Sequence, residues 1–213
     1  MLQRLYFTLI IAFIILTLSQ IYISENKRRK NREIIKLSGN LKRFVYGIIY
    51  LTFFIIFFIF MLNDFLKIYK LISNDYDLSF IQLFNFNYID NLIGGYGEKN
   101  IVKHTYISIY KDQIYKSLLW LVITLCQSIY NFYIWYHKNI IYESGILIDG
   151  IMIPWQEIDD YKWGGSYENK FFEKGTYYEL NIIKKKDSIS LKVKHDDKNQ
   201  VNEILKKRVI ELI

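Results

Sequence analysis

The chain has 213 residues, a formal net charge of +7 and a mean hydropathy of only +0.07, an average that hides a partition between apolar runs and a polar remainder rich in Lys, Asn and Glu. Its one cysteine, Cys126, excludes an intramolecular disulfide and any thiolate cluster for a metal. Alanine occurs once, at Ala12, and proline once, at Pro154, while Ile, Lys, Asn, Tyr and Phe abound; this is the bias of an AT-rich coding genome, so the many aromatic residues alone carry no mechanistic weight.

Three charge-free apolar runs follow in chain order: Leu5 to Ser24, Phe44 to Leu62 and Ser117 to Tyr136. Each holds about twenty residues, enough at about 1.5 Å rise per residue to cross a hydrocarbon layer of roughly 30 Å. The first run is longer than a signal-peptide core and is followed by Glu25-Asn26-Lys27-Arg28-Arg29-Lys30 rather than a small-residue cleavage site, so it reads as an uncleaved anchor.

Orientation follows from the basic residues. The first connection holds Lys27, Arg28, Arg29, Lys30, Arg32, Lys36, Lys42 and Arg43, whereas only Arg4 precedes the first run. Short loops dense in Lys and Arg stay cytoplasmic, which puts the N-terminus outside. The second connection, Asn63 to Lys116, balances six basic against six acidic residues and suits the outer face. A third crossing returns the chain to the cytoplasm, where thirteen basic residues lie from Lys138 onward. The cluster Lys27, Arg28, Arg29 and Lys30 reads first as a topogenic signal. It is also the candidate contact for anionic membrane lipid or a partner, since each basic residue at a charged leaflet contributes about 1 kcal/mol before salt screening.

Within the second connection, Phe65, Ile68, Tyr69 and Ile72 recur at helical spacing after the second run, and Ile107, Tyr110, Ile114 and Leu118 do so before the third. The two spacings predict an antiparallel helical pair with an irregular tip. That tip includes Phe80 to Asn87, with aromatic residues suited to a headgroup zone, and Gly94-Gly95-Tyr96-Gly97, which reads as a turn. The glycine cluster lacks the Lys and Ser or Thr of a phosphate loop.

From Asn139 onward the pattern becomes β-prone. Ile140 to Tyr142, Ile146 to Ile148 and Ile151 to Ile153 are short runs separated by Glu143-Ser144-Gly145 and Asp149-Gly150, which are hairpin signals. Further strands are expected at Ile158 to Trp163, Tyr177 to Ile183 and Ser188 to Val193, with Lys184 to Asp187 as an exposed turn and Pro154 at a strand end or edge. The final segment is helical, with Val201, Ile204, Leu205, Val209 and Leu212 on one face.

The run Glu143-Ser144-Gly145-Ile146, then Gly150, Trp155, Ile158, Tyr161 and Trp163, resembles the pattern E-x-G-I, G, W-x-x-I-x-x-Y-x-W of uncharacterised bacterial membrane proteins. Those proteins carry a C-terminal domain of unknown function similar to bacterial pleckstrin-homology-like (PH-like) domains. The resemblance covers about residues 139 to 212 and implies a curled antiparallel sheet closed by a C-terminal helix; it implies no activity and transfers no catalytic residue. The insertion Gly164 to Gly175 interrupts it.

Gly145 and Gly150 fit positive-φ turn positions, while Ile146, Trp155, Ile158 and Trp163 fit core or rim packing. The functional alternative is a groove for a peptide or lipid headgroup lined by Trp155, Tyr161 and Trp163, with Lys184, Lys185 and Lys186 touching anionic lipid or otherwise forming a solvated turn. His104, His137 and His195 are scattered without metal-ligand spacing, no serine sits in a nucleophile elbow, and Asp159-Asp160 and Asp196-Asp197 read as strand-start and helix-cap residues. The runs hold no Asp, Glu, Lys, Arg or His until His137 at the boundary and read as spans without intramembrane polar residues, so they offer no default proton or ion path.

The expected architecture is therefore an α-helical multi-pass cell-membrane protein over residues 1–137, with three transmembrane helices and the N-terminus outside. A small cytoplasmic α+β domain, PH-like, follows over residues 138–213. The expected role is non-enzymatic, without a cofactor and without nucleic acid: a module engaging membrane lipids or a membrane or cytoplasmic protein partner. The alternative is an accessory subunit of a transport or export assembly.

Overall fold

Backbone amides in lipid can be satisfied only within the segment itself, so uncharged runs of Ile, Leu and Phe are held as helices. The computed structural model describes residues 2–73, 82–83, 85–96, 100–169, 174–184 and 187–210. Among the described residues, four α-helices precede residue 137: α1 (Leu2–Lys30), α2 (Leu41–Ser73), α3 (Phe86–Tyr96) and α4 (Ile101–Tyr136). Of these, α1, α2 and α4 are long and apolar enough to cross a membrane. Their large apolar side chains are widely exposed, Leu18 at 60% and Phe60 at 62%, as expected where lipid is the solvent. These features make the chain compatible with a multi-pass membrane protein.

The chain divides into two compact units. The first comprises Met1–Leu16 and Ile48–Ser128. Its core gathers Phe65, Ile68 and Ile72 of α2 with Ile107, Tyr110 and Ile114 of α4, the positions whose spacing predicts helices running past the apolar runs. Ile89 and Leu92 of α3 complete that core. Here the structure corrects the sequence reading: Gly94 and Gly95 lie inside α3 and form no turn. Burial of the Ile89 and Leu92 face outweighs the poor helix propensity of two glycines near the helix end. Asn85 starts α3 by accepting the amides of Tyr88 on its side chain and Ile89 on its carbonyl. Phe80, Ile81, Phe84 and Gly97 lie outside the described residues. A second correction concerns α4, which buries Thr124, Ser128 and Asn131. Its inner face is polar in part, and the Thr124 hydroxyl is satisfied by the carbonyls of Trp120 and Leu121.

The second unit comprises Thr17–Gly47 and Ile129–Ile213. It holds two antiparallel sheets and a closing helix. One sheet has the order β1-β2-β3-β4, from Glu33–Lys36, Ile140–Tyr142, Gly145–Ile148 and Ile151–Pro154; the other has the order β5-β6-β7, from Asp160–Asn169, Gly175–Lys184 and Asp187–Lys194. The β3–β4 hairpin turns on Asp149 (φ 49) and Gly150 (φ 83), the two positive values a type I′ turn requires. Gly145 is equally constrained, because a Cβ there would lie 2.2 Å from the Ile153 carbonyl oxygen. β5 runs further than its sequence pattern suggests and takes up the glycines of the insertion: the register shifts between Trp163 and Ser166, so Gly164 and Gly165 form a bulge.

Period-2 alternation sorts the first sheet into two faces. Ile141, Ile146, Ile148 and Ile153 face a core shared with Leu180, Ile182, Leu191 and Val193 of the second sheet, while Ile140, Tyr142 and Leu147 cluster on the opposite face. Helix α5 (Lys198–Leu205) and the wide turn Lys206–Ile210 close the core with Val201, Leu205 and Val209. Asp197 sits at the N-cap of α5 as expected, but its side chain makes no capping hydrogen bond.

The strand with no counterpart in the sequence reading is β1. It comes from the connection between α1 and α2 and pairs with β2 through Lys36 opposite Ile140 and Ile35 opposite Ile141. Ile35 and Leu37 enter the main core. The first connection is therefore part of the C-terminal sheet.

Candidate interface at the helix ends

Lys27, Arg28, Arg29 and Lys30 form the last turn of α1, where the partial negative charge of a helix C-terminus favours cations. Arg28 turns inward. Its Nη1 donates to the His137 carbonyl at 2.7 Å and its Nη2 to the Lys138 carbonyl at 3.2 Å, satisfying two acceptors just beyond α4. Lys138 adopts φ 51 as the chain leaves the helix for β2, the left-handed step common at helix ends. Arg29 pairs with Glu25 at 3.3 Å, and the Tyr133 hydroxyl donates to the same carboxylate at 3.1 Å. Glu33 pairs with Lys36 at 3.5 Å, and Arg32 with Glu143 at 3.6 Å.

Several of these groups border a cavity of about 520 Å3, whose lining includes Glu25, Arg28, Arg29, Lys36, His137 and Lys138. Burial lowers the pKa of His137 below its ordinary value, the neighbouring Arg28 charge lowers it further, and Glu25 offsets part of this. Burial raises the Tyr142 phenol, with Arg28 opposing.

A second polar cluster fixes the start of α2. Arg43 Nε and Asn40 Nδ2 each donate to Asp149 Oδ2 at 3.1 Å, and the Asp149 amide donates to Asn139 Oδ1 at 2.9 Å. Ser38 Oγ donates to the Lys192 carbonyl at 2.7 Å, joining the connection to β7. A cavity of about 370 Å3 lies alongside, bordered by Asn40, Lys42, Asp149, Glu179 and Lys192.

The remaining candidates are held differently. Trp155 is buried at 4% exposure and its indole N–H donates to the Glu143 carbonyl at 2.9 Å. The Tyr161 hydroxyl and the Trp163 indole both donate to Asn202 Oδ1 of α5, at 3.3 and 2.9 Å. All three polar tips are thus engaged inside the module, and burial raises the Tyr161 phenol. Lys184 pairs with Glu157, whereas Lys185 and Lys186 lie outside the described residues. Lys184 lies on the second sheet and does not line the cavity at Arg28. Among the described residues, no group of three His, Cys, Asp or Glu side chains gathers for a metal.

The sequence reading missed β1, the Arg43–Asp149 cluster and the cavity. A signal for β1 was present: Ile34 and Ile35 interrupt an otherwise basic connection, and an apolar pair there has no reason to face water.

No curated protein and no solved structure matches the chain. One family model does match, over residues 137–210, and it is described as a domain of unknown function (DUF5673). The match begins at the end of α4 and leaves out β1, so the sheet seen here extends beyond the matched segment. The C-terminal third of the chain is thus similar to a domain of unknown function, and it follows three candidate membrane-spanning helices.

Proposed function

We propose that the protein is a bacterial multi-pass membrane protein whose C-terminal PH-like module is cytoplasmic. It works there as a non-enzymatic interaction surface for the inner leaflet or for a protein partner. The observation that carries this reading is the β1–β2 pairing, by which a connection between two candidate membrane helices completes the sheet of the module. A module built this way cannot drift on a tether. Its basic rim stays within headgroup reach, where Lys and Arg act on anionic lipid over a Debye length of roughly 8–10 Å. The excess of Lys and Arg in the first connection and after Lys138 supports the cytoplasmic side.

Single cysteines test this. In a Cys126→Ala background, Ser73→Cys is expected to react with an impermeant maleimide in intact cells, and Ser188→Cys only after permeabilisation. Reaction of Ser188→Cys alone in intact cells overturns the orientation and, with it, the inner-leaflet role.

A further inference from the structure

We propose that the cavity at the C-terminal ends of α1 and α4 binds a phosphate-bearing anion, either the headgroup phosphate of an anionic phospholipid or a free phosphorylated molecule of the same chemistry. This deepens the inner-leaflet reading above and rests on it for the choice of leaflet.

Charge comes first. Arg28, Arg29, Lys36 and Lys138 border the cavity against two carboxylates, Glu25 and Glu33. Both carboxylates already have partners: Glu25 accepts from Arg29 and Tyr133, and Glu33 pairs with Lys36. Arg28 donates two nitrogens to carbonyls at the end of α4, so its charge offsets the partial negative charge of that helix terminus rather than a full carboxylate, and the four cations of the lining still outnumber its two carboxylates. Guanidinium and ammonium groups lining one concave site suit charge-assisted hydrogen bonds to phosphate oxygens.

Size and lining agree. About 520 Å3 lies within the range of small-molecule pockets. Ile140, Tyr136 and Tyr142 add apolar wall beside the cations, suited to the glycerol and upper acyl carbons of a lipid. Tyr136 is 74% exposed at the end of the last apolar run, the level at which tyrosine anchors in headgroups. A Tyr136 anchored in this way would hold the cavity at the level of the phosphates.

The test uses the full chain in nanodiscs, because the module borrows β1 from the first connection. Native mass spectrometry would count phosphatidylglycerol retained from discs of phosphatidylcholine doped with that lipid. Arg29→Gln with Lys36→Gln removes two cations whose side chains are 78% and 65% exposed, so the fold is spared. The comparison variant is Lys206→Gln with Lys207→Gln, which removes the same charge from the exposed face after α5. Expected are retention by the wild type, a loss of about tenfold in the first double variant and none in the second. A thermal shift with inorganic phosphate in pure phosphatidylcholine discs, abolished by the first double variant, would assign the site to a free anion; retention of the lipid without that shift would assign it to the headgroup. Equal losses in both double variants, or no preference for phosphatidylglycerol and no phosphate shift, overturn the proposal. A reversed orientation in the cysteine experiment leaves the nanodisc result standing, so the two readings fail separately.

Discussion

Arg43 Nε lies 3.1 Å from Asp149 Oδ2, linking the first turn of α2 to the β3–β4 turn across more than a hundred residues of sequence. Both side chains are largely withdrawn from water, and the same carboxylate oxygen accepts from Asn40. Removing one partner strands a partly desolvated charge, which costs more than losing a surface pair. Arg43→Ala is expected to destabilise the protein by about 1–3 kcal/mol. Asp149→Asn should cost less, because asparagine tolerates the left-handed turn and can still accept from Asn40. Thermal unfolding in nanodiscs followed by near-ultraviolet circular dichroism checks the order; an Asp149→Asn effect as large as that of Arg43→Ala would refute it.

Gly150 is the next weak point. Its φ of 83 is strained for any side chain, and a Cβ there would come within 2.7 Å of Ile134 Cδ1. Gly150→Ala is expected to lower stability by about 1–3 kcal/mol and to do so without altering membrane insertion. Protease protection of the helices alongside the thermal midpoint separates the two effects.

Helix packing gives a third expectation. A Cβ on Gly47 of α2 would lie 2.8 Å from the Phe132 ring of α4, the close approach that small residues permit between membrane helices. Gly47→Leu should therefore destabilise, by about 1–3 kcal/mol from overpacking, and Phe132→Ala added to it should recover part of the loss. Additive losses in the double variant would show that the two positions do not meet.

Dependence of the module on β1 shows in fragments. Residues 138–213 alone lack β1 and with it Ile35 and Leu37, both buried in the main core. That fragment is expected to melt without a cooperative transition, while a fusion carrying residues 31–40 ahead of it should regain one. Calorimetry of the two proteins decides this, and a sharp transition in the shorter one would sink it.

For pH, the folded-state pKa of His137 is lowered, chiefly by burial and then by Arg28. The folded protein thus binds fewer protons at this site than the unfolded chain. Stability is then fully present above the unfolded value near 6.5 and is lost as pH falls through the lower folded value. His137→Gln should flatten the thermal midpoint between about pH 7 and pH 5 relative to wild type. At the alkaline end Tyr167, pushed up to about 12 by burial and by Glu179, works in the opposite sense. Its contribution holds below an unfolded value near 10 and falls as pH rises towards 12, so Tyr167→Phe should soften that loss.

The parts legible in the sequence were those with local causes. Uncharged length gives the three long helices, Asp149-Gly150 gives a hairpin, and alternation at Ile189, Leu191 and Val193 gives β7. Helical spacing at Phe65, Ile68 and Ile72 likewise extends α2 beyond its apolar run. What escaped depends on distant partners. β1 is four residues long and is a strand only because β2 lies beside it. α3 carries two glycines that local propensity reads as a turn, and only the buried Ile89 and Leu92 face keeps it helical. The cavity required Arg28 to meet carbonyls about a hundred residues away, which no spacing rule can see.

Because β1 precedes α2 and its partner β2 follows α4, two candidate membrane-spanning helices lie between the paired strands in sequence, and two crossings bring the strands to one face whichever way round the chain inserts. Were just one of those two helices to stay out of the bilayer, the edge strand would be stranded across the membrane from β2 and the module would lack Ile35 and Leu37 in its core. Such a chain would expose apolar surface to quality-control proteases, so an insertion mistake would register as a folding defect.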